Sequence, residues 1–177
     1  MATVPTPLDP APGDINSATK FDAGVRDALA WTLTNRPMVH AYDGVGVSMA
    51  SGTDTLLLLN SEVFDNDNMH STTVNTSRIT FNTAGMYDIR IIVVMASATY
   101  TTLNLNTRVN SAESNTGGTG LGSFLQNAGR FAQVHFFYRF SAGDHLQTWV
   151  NQASGGGAQL TAPGALRTCT QALWVSN

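Results

Sequence analysis

The 177-residue chain carries 9 basic and 12 acidic residues, for a formal net charge of −3. With the basic residues scattered and outnumbered, a protein built to grip nucleic-acid phosphates is argued against, and 42% hydrophobic residues set the chain apart from disordered ones. Charged residues make up only 12%, about half the usual share of roughly 25%, so the surface must be built largely from the 49 Ser, Thr and Asn residues.

The single cysteine, Cys169, rules out an intrachain disulfide and reads as a small buried hydrophobe in "LRTCTQALWV". The opening "MATVPTPLDPAPGD" has neither the basic nor the apolar region of a signal peptide. The longest run of large apolar residues, Ile91 to Met95, is far too short to span a membrane. A soluble product made in a cytoplasm, without membrane insertion, is expected.

Residues 1–14 hold Pro5, Pro7, Pro10 and Pro12, a spacing that forbids helix and strand ladders and favours an extended arm. The arm is either a loose tail or a strap along a neighbouring subunit. A helix is expected from Ile15 to Leu33, capped by Asp14 or Asn16 and stopped by Pro37, so residues 15–36 form a leader. Its apolar stripe holds Ala18, Phe21, Gly24, Val25, Ala28 and Leu29, with Trp31 at the edge. Phe21, Val25, Ala28 and Leu29 are the candidate anchoring residues. They must be buried on the chain's own head, on symmetry mates, or on a larger assembly.

Beyond Pro37 the pattern turns to strands. "PMVHAYD" and "VGVSMA" are short, and "DTLLLLNSEVF" is a longer apolar run. "SRITFNTAG" puts Ile79 and Phe81 on one face, and "MYDIRIIVVMAS" puts Tyr87, Ile89, Ile91, Val93 and Met95 on one face. "TLNLNTRVN" points Leu103, Leu105 and Val109 inward, and "RFAQVHFFYRF" points Ala132, Val134, Phe136, Tyr138 and Phe140 inward. "NTGGTGLG" reads as a loop, "SAGD" as a turn into "HLQTWVNQ", "ASGGG" as another loop, and "LRTCTQALWVS" as the closing strand. About eight to ten short antiparallel strands punctuated by turns describe an all-β sandwich or barrel over residues 37–177.

These residues carry a resemblance. "RITFNTAGMYDIRIIV", "FSAGDHLQTWV" and the terminal "QALWVSN" resemble, in order, segments of the complement first-component globular head, a jelly roll of the tumour necrosis factor-like class. The leader "INSATKFDAGVRDALAWTLTNRP" ahead of "FDNDNMHSTTVNTSRITFNTAGMY" resembles bacteriophage tail, fibre or minor structural proteins that carry such heads. No collagen-like repeat precedes the head, unlike the animal relatives.

The resemblance implies a homotrimer with one sheet of each protomer facing a threefold axis. It also implies a non-enzymatic role in a virion. His135, Phe137, Ile92, Val94 and Trp174 are expected on faces opposite the core, where exposed apolar groups usually mark an interface. A thicker sandwich or a covering helix would account for them too.

No catalytic, cofactor or metal site is expected. His40, His70, His135 and His145 lack metal-ligand spacing, and no nucleophile elbow or phosphate loop occurs. Asp65, Asn66, Asp67 and Asn68 could offer oxygens to calcium, but they read better as an Asx-rich turn. Glu62 and Asp65 are too isolated to make a glycosidase pair.

Two virion roles follow. One is a component of the tail tip, fibre or baseplate, bound to other virion proteins through arm and helix. Its loops at Asn115, Gly118, Ser154 and Gly156 would face a host-surface glycan or protein. The other is a trimer decorating the capsid. A bacterial or secreted binding module is a third reading.

Overall fold

The computed structural model describes residues 25–96, 101–111, 119–127 and 130–176. The proline-rich arm, Phe21, Asn115 and Gly118 lie outside the described residues. Residues 25–30 are α-helical and run into a π turn at Trp31–Asn35, two residues beyond the expected stop. The Thr32 hydroxyl donates to the Ala28 carbonyl at 2.8 Å and so competes with the backbone for that acceptor. Arg36 is already extended, as a residue ahead of proline should be.

Twelve strands follow among the described residues: β1 (Met38–Tyr42), β2 (Ser48–Met49), β3 (Thr55–Leu56), β4 (Ser61–Asp65), β5 (Arg78–Thr80), β6 (Gly85–Val94), β7 (Thr102–Val109), β8 (Thr119–Asn127), β9 (Phe131–Phe140), β10 (His145–Ala153), β11 (Gln159–Leu160) and β12 (Cys169–Ser176). One sheet has the order β4-β1-β12-β6-β9. The facing sheet has the order β3-β10-β7-β8, with β5 also on β10, and β2 pairs with β11. All the strand pairs are antiparallel. This is the all-β sandwich that the alternation calls for, in the jelly-roll form that the resemblance implies.

Period-two alternation builds the core between the sheets. Tyr87, Ile89, Ile91 and Val93 of β6 and Leu103 and Leu105 of β7 are fully buried, and Ala132 and Phe140 of β9 face them. Val134, Phe136 and Tyr138 point the same way but are only partly buried, because β9 is an edge strand.

Three details depart from expectation. The run "DTLLLLNSEVF" is not one strand: β3 belongs to one sheet and β4 to the other. Leu57 donates its amide to Thr148 and Leu59 to Thr76 as the chain crosses between the layers. The second half of "NTGGTGLG" is strand, since Thr119 opens β8 and pairs with Val109. The short strand β11 carries no signal of its own.

The register fixes which ends of the strands lie together. β6 begins, and β9, β12 and β7 finish, near the turn 141–144, where Phe81 donates to Asp144 and Gly143 donates to Phe81, both at 2.8 Å. Here Phe81 stacks on Phe140 at 3.5 Å, and Tyr87 stands edge-on to both rings. Tyr87 donates its hydroxyl to the Thr83 carbonyl at 2.6 Å. Burial, reinforced by the Asp67 charge, pushes its phenol well above the usual range, so it stays neutral.

The leader docks at this same end. Trp31 is buried and meets Trp174 edge-to-face, with centroids 4.6 Å apart and planes at 89°. Trp174 donates its amide to Pro37 at 2.9 Å and its indole N–H to Ala84 at 3.2 Å.

Candidate self-association face

Strand parity that sends one set of side chains inward sends the other to the outer face of the β4-β1-β12-β6-β9 sheet. Cross-strand pairing arranges those outward residues in rows. One row reads Met38, Leu173, Asp88, Phe137 from β1 to β9, the next His40, Gln171, Arg90, His135, and a third Tyr42, Cys169, Ile92, Gln133. Val94 opposite Phe131 closes the face at the end away from the leader.

Phe137 is 60% exposed and Phe131 45% exposed. Ile92, Val94 and Leu173 are half-buried beside them. Between these apolar groups Nε2 of His135 stands 2.6 Å from Oδ1 of Asp88, and the His135 ring tilts against Phe137 at 5.7 Å. The pair is partly open to solvent and worth little to an isolated subunit. Its use is to fix where two polar groups stand among apolar neighbours.

Of the five residues expected on this face, His135, Phe137, Ile92 and Val94 are on it. Trp174 is not. It is 7% exposed and belongs to the core, because Ala172 and Trp174 are the inward residues of β12 and Leu173 the outward one. Two bulky neighbours in "QALWVS" cannot share a face, and Leu173, not Trp174, takes the outer position. Phe131 and Leu173 complete the surface; alternation along "RFAQVHFFYRF" points to Phe131, whereas Leu173 is placed by its register opposite Asp88.

The remaining candidates come apart. Val25, Ala28 and Leu29 of the leader are exposed, whereas Trp31 is the residue that docks. Ser154 and Gly156 lie on the loop after β10, where Ser51 Oγ accepts the amides of Ser154 and Gly155 at 3.1 and 3.3 Å. Because Ala153 pairs with Thr102 and Leu146 with Val109, this loop leaves the end of the sheet opposite the turn 141–144.

The acidic cluster is a structural turn. Asp65 accepts the amides of Asp67 and His70 at 3.2 and 2.8 Å, and Asn66 bridges Arg36 and Met38. Asn68 is left-handed at φ 51°, a conformation asparagine tolerates. The His70 side chain is fully buried, with Nδ1 2.7 Å from Glu62 Oε1 and Nε2 3.2 Å from the Thr76 carbonyl. Glu62 is thereby committed to His70. A cavity of about 440 Å³ opens beside this turn, lined by Asn68, His70, Arg78 and His145. His145 spends its Nε2 on the Ser111 carbonyl at 3.2 Å. No group of three metal-ligating side chains stands together among the described residues.

Solved structures share this architecture. The chain superposes on murine APRIL (crystallised at pH 8.0) with a TM-score of 0.60 at 13% identity, covering 79% of this chain and 99% of that one. It superposes on the globular domain of zebrafish complement 1qA with a TM-score of 0.54 at 14% identity, covering 80% and 100%. Eiger TNF from S. frugiperda gives 0.54 at 14% identity, covering 80% and 95%. At such identities the likeness establishes the fold, a jelly roll of the tumour necrosis factor and complement-head type. No protein-family model matches the sequence, and no curated protein matches it significantly.

Proposed function

We propose that this chain forms a homotrimer and serves, without catalysis, as a structural component of a bacteriophage virion at the tail tip, fibre or baseplate. The observation that carries the trimer is the outer face of β12, β6 and β9. Phe137 and Phe131 are exposed there beside half-buried Ile92, Val94 and Leu173, on a sheet whose other face already forms the core. Exposed aromatic rings on a low-charge protein, set among Asp88, Arg90 and Gln133 on the same face, offer a partner apolar contacts in a polar frame. A rigid β-sheet offers it a preformed surface to meet. Identical copies of that surface meeting about a threefold axis would bury all of it.

The virion reading is supported by the order of segments in the sequence, a leader helix directly ahead of a head of this type. The leader would bind other virion proteins. Ser154 and Gly156 sit at the end of the sheet away from the docked Trp31. That end would then face outward, toward a host-surface glycan or protein.

Sedimentation of the purified full chain tests the trimer: three subunits are expected, and a stable single subunit would refute it. Electron microscopy of phage particles labelled on this protein tests the location. Label at the tail end is the expected result. Label over the capsid shell would make the trimer a decoration protein instead, and no labelled particle would remove the virion role.

A further inference from the structure

The leader helix presents a divided stripe. Trp31 packs on the chain's own head, edge-on to Trp174. At about 100° per residue, Leu29 lies roughly 160° and Val25 roughly 120° around the helix from Trp31. The docked side and the side bearing these two residues therefore point apart. Val25 is 42% and Leu29 54% exposed, and Ala28 beside them is exposed as well. Asp27 lies on the opposite side, roughly 160° from both Val25 and Leu29, and pairs with Arg26 at 3.2 Å.

An exposed apolar i, i+4 pair on a helix is poorly placed in water, because helices in proteins draw most of their stability from packing an apolar face. The position of the helix says what covers it. It enters the head at Pro37, whose carbonyl accepts the Trp174 amide, and β1 and β12 are adjacent strands of the sheet that bears the candidate interface. Heads that meet through that sheet bring their leaders to one end of the assembly, each held by Trp31 with Val25 and Leu29 turned outward.

We propose that Val25, Ala28 and Leu29 pack against the same residues of two further copies of this chain, forming a parallel three-helix bundle continuous with the head interface. This inference rests on the trimer reading. Val25 and Leu29 supply the i, i+4 apolar seam such a bundle needs, and Ala28 lets the helices approach closely. Anchoring to a particle then falls to residues ahead of the bundle.

The test uses the full chain with Leu29→Cys or, separately, Asp27→Cys. Both positions are exposed, and the buried Cys169 is common to both proteins. Sedimentation under reducing conditions comes first, followed by mild oxidation and separation without reductant. The bundle predicts linked pairs forming at least tenfold faster from Leu29→Cys than from Asp27→Cys. Trimers that show no such preference overturn the bundle and leave the head trimer standing. A monomeric full chain overturns both. As a second measurement, Leu29→Asp should raise the concentration for half-dissociation by about tenfold with the strand signal unchanged, and an unaltered value would count against the bundle.

Discussion

Gly85 stands against Trp174 so closely that a β-carbon on it would collide with the indole ring. It would also lie only 2.7 Å from the Ser176 carbonyl. Its φ of +151° is itself one that side chains other than hydrogen rarely adopt. The "TAG" turn therefore ends in glycine because the last strand must close over it. Gly85→Ala should cost about 2–4 kcal/mol, read as a fall in denaturation midpoint. Gly156→Ala, with nothing within 4 Å, should stay within about 0.5 kcal/mol. Equal effects at both sites would mean that the contact does not constrain the fold.

Trp31 belongs energetically to the head, although it lies in the leader. Removing residues 1–30 should leave Trp174 covered, whereas removing residues 1–34 should uncover it. The longer deletion should be less stable by about 1–3 kcal/mol, from lost apolar burial and the edge-to-face contact. It should also show Trp174 emission shifted toward longer wavelength. Two deletions of equal stability would show that Trp31 merely rests on the head.

Phe137 is the most exposed aromatic of the interface rows, so Phe137→Glu should leave the fold intact and break the assembly. A charge placed in an apolar contact must be desolvated in each of three copies, at several kcal/mol per ion. Sedimentation should then show single subunits at concentrations where the parent is trimeric, with circular dichroism unchanged. Phe136→Glu, one residue away on the inward face, should instead lower the unfolding midpoint. A trimeric Phe137→Glu would place the interface elsewhere.

The contrast between these neighbours marks what the sequence made legible. Where polar and apolar residues alternate, as in "TLNLNTRVN" and the "MYDIR" half of β6, period two assigns the faces correctly. It failed at "QALWVS", where Leu173 and Trp174 are both bulky and only the register with Leu173 opposite Asp88 decides between them. Glycine hid the start of β8, because loop composition and strand pairing are separate matters and Val109 supplies a partner regardless of what Thr119–Gly122 prefers. The two-residue strands β2, β3 and β11 are products of tertiary closure and have no local period to read. Docking of Trp31 was invisible for the same reason: its helix position placed it at the edge of the stripe, and Trp174 made it the anchor.

Cys169 lies in an outward row of β12 yet is almost fully buried. Burial pushes its thiol up from 9.0 to about 11, against a smaller opposing pull from the Arg90 charge. At neutral pH it should resist thiol reagents. The sign of the linkage follows from the raised value. In the unfolded chain the thiol ionises first, so the stabilisation is fully present below pH 9 and is lost as pH climbs toward about 11. Tyr87 is shifted in the same direction, so the protein should weaken on the alkaline side even without Cys169. Cys169→Ala should flatten the fall in stability between pH 9 and 11 by about 1–2 kcal/mol while leaving the tyrosine part in place. Denaturant midpoints measured across that range for parent and variant provide the check, and parallel curves would show that the thiol is solvated in the folded protein.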